Sequence, residues 1–255
     1  MIIELHRKVH NNIGDLFSNP SRYFNFPNCN SQDLIYKRDN LKNQILVVGG
    51  GGLIHKKFQF HIQEQIAKSP EKVVLWGIGH NFGRKHISKS GVRVYFPDWI
   101  NKCNLIGIRD WVEGYERYYL PCVSCMHPAF DKKYTTTRKV GYFLHKFKTK
   151  IKATDNKSIM YNDSTNFDKS IQFIASHDTI ITDSYHGAYW AQLLGKNVQV
   201  AGWSVKFHHF KNPPILLDNI NQTPSSSTNK ISYDFLTECR KFNQDFYHKF
   251  LDTIS

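Results

Sequence analysis

Apolar and polar positions along this chain switch between a strand period of two and a helix period near 3.6, and the switches outline a series of strand–turn–helix units. The clearest begins at Thr179-Ile-Ile-Thr182, a short β-branched run that meets Asp183 and Ser184 and passes into Tyr185-His-Gly-Ala-Tyr-Trp-Ala-Gln-Leu-Leu, ending at Gly195. The order predicts a buried strand that turns sharply into a helix. Asp183 or Ser184 would cap that helix, and Gly195 suits the left-handed position after its last turn.

Related units precede and follow it. Ile2 to Leu5 reads as a strand that enters a polar corner, His10 to Pro20, where Asn12, Gly14 and Asp15 supply turn geometry and a cap. Ile45 to Val48 is an apolar run that meets Gly49-Gly-Gly-Gly52, followed by a helix over His55 to Ala67 with Phe58, Ile62 and Ile66 on one face. Lys72 to Ile78 repeats the strand, again ending in glycines, and further strands are expected at Val92 to Phe96 and Leu105 to Ile108. A second α/β half opens near Arg138, with strands at Val140 to Leu144 and Asn197 to Gly202 and a helix over Phe167 to Ala175 capped near Asn166. Gln222 to Asn229 reads as a flexible loop. The last helix carries Phe235, Cys239, Phe242, Phe246 and Phe250 on one continuous apolar face, a packing surface. The fold class expected is α/β, with halves at residues 1–136 and 137–255.

Strand ends are where chemistry is expected in such folds, because ligands collect beyond the carboxyl ends of parallel strands. His186 is predicted on the first turn of its helix, beside unpaired backbone N–H groups and the positive end of the dipole, and Gly187 would let a ligand approach the backbone. That combination suits an anion and contains a titratable group. The glycine run resembles a phosphate-binding corner, with a simple tight turn as the alternative. It lacks the spacing of the dinucleotide fingerprint and the Gly-Lys-Ser/Thr ending of a P-loop. Gly50, Gly79 and Arg109 are expected to line one crevice; a buried ion pair between Arg109 and Asp110 is the competing reading. Lys206, His208, His209 and Lys211 cluster at a strand exit, where they would contact phosphates, with lone surface cations as the alternative. Cys122-Val-Ser-Cys125 lacks the partners a zinc site needs and is read as a structural segment between the halves.

Composition narrows the partners. The 255 residues are 40% hydrophobic and 14% aromatic, which suits a globular protein. The 34 Lys and Arg against 21 Asp and Glu give a formal charge of +13, so an anionic partner is expected. Met1-Ile-Ile-Glu-Leu-His is charged by its fourth residue, so no signal peptide is expected, and no run approaches the length of a membrane span. Five cysteines without a secretory signal suit a reduced, cytoplasmic setting.

Taken together, Asn12-Ile-Gly-Asp15, Gly49 to Gly52, Trp76-Gly-Ile-Gly79, Gly107-Ile-Arg-Asp110 and Ile180-Ile-Thr-Asp-Ser-Tyr-His-Gly187, leading to Leu194-Gly-Lys196, resemble the polysaccharide pyruvyl transferase family in motif and in order. The resemblance implies two Rossmann-like parallel-sheet halves facing a cleft, as in GT-B glycosyltransferases. It also implies metal-independent transfer of a pyruvyl group from phosphoenolpyruvate to a pair of sugar hydroxyls as a ketal. His186 matches the family's acid/base histidine; Ser184 stands where many members carry an arginine. The catalytic set then expected is His186, Arg109 and Asp183. The phosphorylated donor would meet Ser184, Tyr185, Gly187, Lys206 and His208, and the saccharide acceptor would approach from Asn12, Asp15, Gly50, Gly51, Gly79 and His80. Neither metal nor cofactor is expected. A small glycosyltransferase using a nucleotide sugar is the alternative, and a non-catalytic binder of nucleic acid or acidic polysaccharide ranks last, because the positive charge is scattered and no nucleic-acid motif occurs.

Overall fold

Short β-branched runs separated by glycine and Asx turns become the strands of two parallel sheets in this computed structural model, which describes residues 1–9, 11–36, 40–83, 87–88, 91–92, 96–146, 158–229, 231 and 234–255. In the first half, β1 (Ile2–His6) leads to a single-turn helix α1 (Ile13–Leu16), then to β2 (Cys29–Asp33) and β3 (Ile45–Gly49). Helix α2 (Lys56–Ile66), β4 (Lys72–Ile78), a small antiparallel ladder of β5 (Ile87–Ser88) and β6 (Gly91–Val92), and β7 (Leu105–Ile108) complete it. The strand order is β2-β1-β3-β4-β7, parallel throughout. β3 and β4 are buried along almost their whole length, as a sheet covered on both faces requires. The expected strand at Val92 to Phe96 falls partly on residues 93–95, outside the described residues.

The second half follows the same plan. It comprises β8 (Arg138–Leu144), β9 (Ser158–Tyr161), α3 (Phe167–Ala175), β10 (His177–Thr182), α4 (Tyr185–Leu193), β11 (Asn197–Val200) and β12 (Ile215–Leu216), with the parallel order β12-β11-β10-β8-β9. The chain is therefore α/β with two five-stranded, Rossmann-like parallel sheets and a C-terminal helix. Every residue of α4 is buried, so it has no solvent face and serves as the central helix of this half. The Ser- and Thr-rich segment at 222–229 differs from the expected flexible loop. Ser225 and Asn229 exchange hydrogen bonds with Gln199 and Val198, which pins the segment alongside β11.

Helix α5 (Phe235–Ile254) joins the halves. Its N-terminal residues Phe235 and Cys239 belong to the core around α4, whereas Phe246 and Phe250 pack on the first sheet. There the Trp76 ring lies 4.8 Å from Phe246 and 5.8 Å from Phe250. Trp76 Nε1 donates to Asn243 Oδ1 at 3.0 Å, and Asn243 Nδ2 donates to the Pro121 carbonyl at 3.1 Å. One buried amide thus ties β4, the 120s segment and α5 together. Cys122 and Cys125 are buried free thiols within that segment. Among the described residues, no helix is long and apolar enough to cross a membrane.

Replacing Asn243 by Leu strands the Trp76 indole N–H and the Pro121 carbonyl in a dry interface, so the variant should lose about 2 kcal/mol of stability. Denaturant unfolding followed by tryptophan fluorescence reads this directly.

Candidate functional site

Strand ends of both sheets converge on one cavity of about 150 Å³. Arg7 follows β1, Asn81 lies just beyond β4 and Arg109 follows β7; from the other half come His145 after β8, Asn162 after β9, Ser184 after β10, and Trp203 and Lys206 beyond β11. The halves touch on either side of it. On one side Ile13 N donates to Asn162 O at 3.0 Å and Asn162 Nδ2 donates to Asn12 Oδ1 at 3.2 Å. On the other, Val205 N and Ser204 Oγ both donate to Phe82 O, at 3.0 and 2.6 Å, and Lys206 Nζ donates to Asn81 Oδ1 at 3.3 Å.

The corner at Asn12-Ile-Gly-Asp15 has a distinct task for each of its polar and small positions. Asn12 Nδ2 donates to Asp15 Oδ2 at 2.8 Å while its Oδ1 accepts from Asn162, so one side chain orients the carboxylate and clasps the other half. Gly14 makes room for His186: a Cβ there would stand 2.0 Å from His186 Nδ1. Asp15 lines the cavity. Burial pushes its pKa up to about 6, against the opposing pull of Arg109, Lys206 and Arg7.

Cations surround that carboxylate. Arg109 is only 3% exposed, and its guanidinium carbon lies 3.7 Å from the centroid of the Tyr185 ring, which stacks in turn on Phe210 at 4.8 Å. Its Nε and Nη1 are buried without hydrogen-bond partners. The alternative reading of an Arg109–Asp110 ion pair does not hold, because Asp110 Oδ2 accepts instead from His80 N at 2.6 Å and sits 2.7 Å from His80 Nδ1. The His80 contact and the nearby Arg109 charge outweigh burial and hold the Asp110 pKa below its usual range. Lys206 is 7% exposed, with Nζ 4.1 Å from the Trp203 ring centroid. Arg7 adds a third cation, 3.6 Å from Asp33 and with a buried, unpartnered Nε.

His186 reaches the cavity from the first turn of α4, where Ser184 is the cap and its Oγ accepts from Gly187 N at 3.4 Å. The imidazole is 7% exposed, and its Nε2 lies 3.5 Å from Cys122 Sγ. Burial first, then the charges of Arg109 and Lys206, hold its pKa well below the ordinary histidine value, so it is uncharged at neutral pH. Burial thus moves the two groups in opposite directions, the Asp15 carboxyl up to about 6 and the His186 imidazole well below its ordinary value.

Of the expected residues, His186, Arg109, Ser184, Tyr185, Lys206, Asn12 and Asp15 line the cavity. Others are placed elsewhere. Asp183 does not line the cavity; its Oδ1 accepts from His145 N at 2.6 Å and its carbonyl accepts from Trp203 Nε1 at 2.9 Å. Gly187 does not line the cavity and is closely packed: a Cβ would stand 2.6 Å from Thr182 Oγ1 and 2.7 Å from Phe143. His208 is exposed and does not line the cavity. Gly50 and Gly51 shape the turn with positive φ, and a Cβ on Gly50 would strike Ser18, so it is Gly52 of this run that reaches the cavity. Gly79 packs against the Arg109 side chain, and His80 is committed to Asp110; both lie behind the cavity wall. Arg7, Asn81, His145, Asn162 and Trp203 were not anticipated. All sit at or just past a strand's carboxyl end, the one sequence signal that could have marked them. Among the described residues no group of three or more His, Cys, Asp or Glu is placed to hold a metal ion.

The chain matches no protein-family model and no curated protein. It is similar to the crystal structure of a functionally uncharacterised protein from Klebsiella pneumoniae subsp. pneumoniae NTUH-K2044, at 18% identity and a TM-score of 0.49, over 79% of this chain and 82% of that one.

Because Gly14 and His186 leave no space for a methyl group, Gly14→Ala should displace the imidazole and destabilise the protein by about 1–3 kcal/mol. Thermal unfolding measures the loss, and the histidine proton resonances should report the moved ring.

Proposed function

We propose that this protein transfers a group from a small phosphorylated carboxylate, phosphoenolpyruvate, to a sugar hydroxyl pair of a polysaccharide or surface glycan. The observation that carries the reading is Arg109, a buried guanidinium with two unpartnered N–H groups, in a cavity that Lys206 and Arg7 also line. Such a guanidinium suits planar, bidentate contact with a carboxylate or phosphate. Three cations against one carboxylate suit a ligand carrying both anionic groups. Arg109 arrives from β7 and so supports a charge that an arginine at position 184 would otherwise supply. The cavity, about 150 Å³, is well below the roughly 300–1,000 Å³ of sites for larger ligands, which favours phosphoenolpyruvate over a nucleotide sugar. A polymer binder finds less support here, because these cations gather in one small cavity instead of spreading along a surface.

In this reading the cations hold the donor and Asp15 moves the proton. Protonated Asp15 delivers its proton to the methylene carbon of the enolpyruvyl group, and a sugar hydroxyl bonds to the adjacent carbon while returning a proton to Asp15. The second hydroxyl then displaces phosphate, which leaves with that hydroxyl's proton, and the ketal closes. Lys206 and Arg109 offset the charge on the departing phosphate. His186 supplies the cavity wall beside the reacting centre.

Incubation with phosphoenolpyruvate and galactosides should yield acceptors heavier by one pyruvyl unit on mass spectrometry; unaltered acceptors would count against this donor. Arg109→Lys keeps the charge but loses the fork and the stack on Tyr185, and should lower kcat/KM about 100-fold.

A second expectation concerns pH. The raised Asp15 pKa means that the folded state holds this proton more tightly than the unfolded chain. Its stabilising contribution is full below about pH 4 and is lost as pH rises through about 6. Asp15→Asn should therefore raise the unfolding midpoint of the free protein at pH 7, by about 1–2 kcal/mol of stability. The same change should abolish turnover and its inflection near pH 6, which a pH–rate profile of the wild type would display.

A further inference from the structure

The Cys122 thiol belongs to a buried chain of hydrogen-bonding groups that ends on His186. Trp190 Nε1 lies 3.0 Å from Ser124 Oγ, Ser124 Oγ lies 3.3 Å from Cys122 Sγ, and Cys122 Sγ lies 3.5 Å from His186 Nε2. Ser124 and Cys122 are both fully buried.

The chain has a direction because its far end can only donate. An indole N–H has no acceptor capacity, so Ser124 Oγ must accept from it. The Ser124 hydroxyl hydrogen then has Cys122 Sγ as its available acceptor, and the S–H is passed on to His186 Nε2. Running the chain the other way, with His186 Nε2–H donating to sulfur and S–H donating to Ser124, leaves the serine hydrogen buried and unspent. Burial raises the thiol pKa, so the cysteine keeps the proton that this arrangement needs.

We propose that Cys122 is a positioning residue that fixes His186 as the Nδ1–H tautomer, so that the imidazole presents an N–H donor to the cleft. Among the described residues Nδ1 has no hydrogen-bond partner, it is not one of the fully buried polar atoms, and His186 lines the cavity that holds Arg109 and Lys206. A donor there complements an anion's oxygen. In the context of the transfer reaction, which this last step rests on, His186 binds an oxygen of phosphoenolpyruvate while Asp15 exchanges the proton. The arrangement also gives the first cysteine of the Cys-x-x-Cys pair a role that needs neither metal nor redox chemistry.

The test is long-range proton–nitrogen NMR on the full chain with isotope-labelled histidine, the His186 signal being assigned by its loss in His186→Gln. The wild type should show a protonated Nδ1 and an unprotonated Nε2. Cys122→Ser retains a donating hydrogen and should keep that tautomer. Cys122→Ala and Ser124→Ala remove or reorient the donor and should shift His186 toward Nε2–H, with phosphoenolpyruvate bound about tenfold more weakly in titration. If Cys122→Ala does not fold, the wild type and Cys122→Ser carry the test unaided. An Nε2–H tautomer in the wild type overturns the assignment, and so does an unchanged tautomer in folded Cys122→Ala. The expected tautomer in a wild type that binds no phosphoenolpyruvate upholds the role of Cys122 and overturns the donor.

Discussion

A guanidinium held in the interior without partners for two of its nitrogens is the constraint around which this molecule is arranged. Removing such a charge from water costs on the order of several kcal/mol unless opposite charge or hydrogen bonds replace the lost solvent. Arg109 receives part of that compensation from the face of Tyr185, which belongs to the other half of the chain. Its Nε and Nη1 stay buried and unpartnered, beside a cavity that Arg109 lines together with Lys206 and Arg7. An anion there would complete the shell of Arg109 and draw the two halves together on the same charge.

In the proposed reaction the cleft separates two tasks that histidine alone often performs. His186 lies deep, flanked by Arg109 and Lys206, so its charged form is disfavoured twice over. Asp15 lies under the same cations but is also desolvated, and the two effects partly cancel, leaving a carboxyl group that titrates close to neutrality. Bound anionic charge would push Asp15 further toward its protonated form, so occupancy of the cleft and possession of a transferable proton are coupled.

The rigidity of this arrangement comes from outside the cleft. Helix α5 places one end in the core of the second half and the other on the first sheet, where Asn243 bonds Trp76 and the Pro121 carbonyl of the first half. Asn12 and Asn162 on one flank, and Phe82 with Ser204 and Val205 on the other, set the spacing of the halves at the cavity itself. The small volume is a property of these contacts as much as of the lining residues.

Most of the fold was legible because the strands are apolar runs ended by glycine or by Asp-Ser, and the terminal helix has a continuous aromatic face; local periodicity suffices for such elements. The edge strands Cys29–Asp33 and Ser158–Tyr161 were not, since they are half-exposed and lack that pattern. The sequence by itself determined which positions end strands, that Ser184 or Asp183 caps the helix, and that His186, Arg109, Lys206 and Asp15 are candidates for chemistry. Only the tertiary structure decided that Arg109 lies over the Tyr185 ring, that Asp183 and Gly187 fall outside the cavity lining, that Arg7 joins it, and that burial raises the Asp15 pKa while lowering that of His186. The reason is physical: burial and the charges of residues distant in the chain set protonation and pairing, and neither is encoded in local spacing.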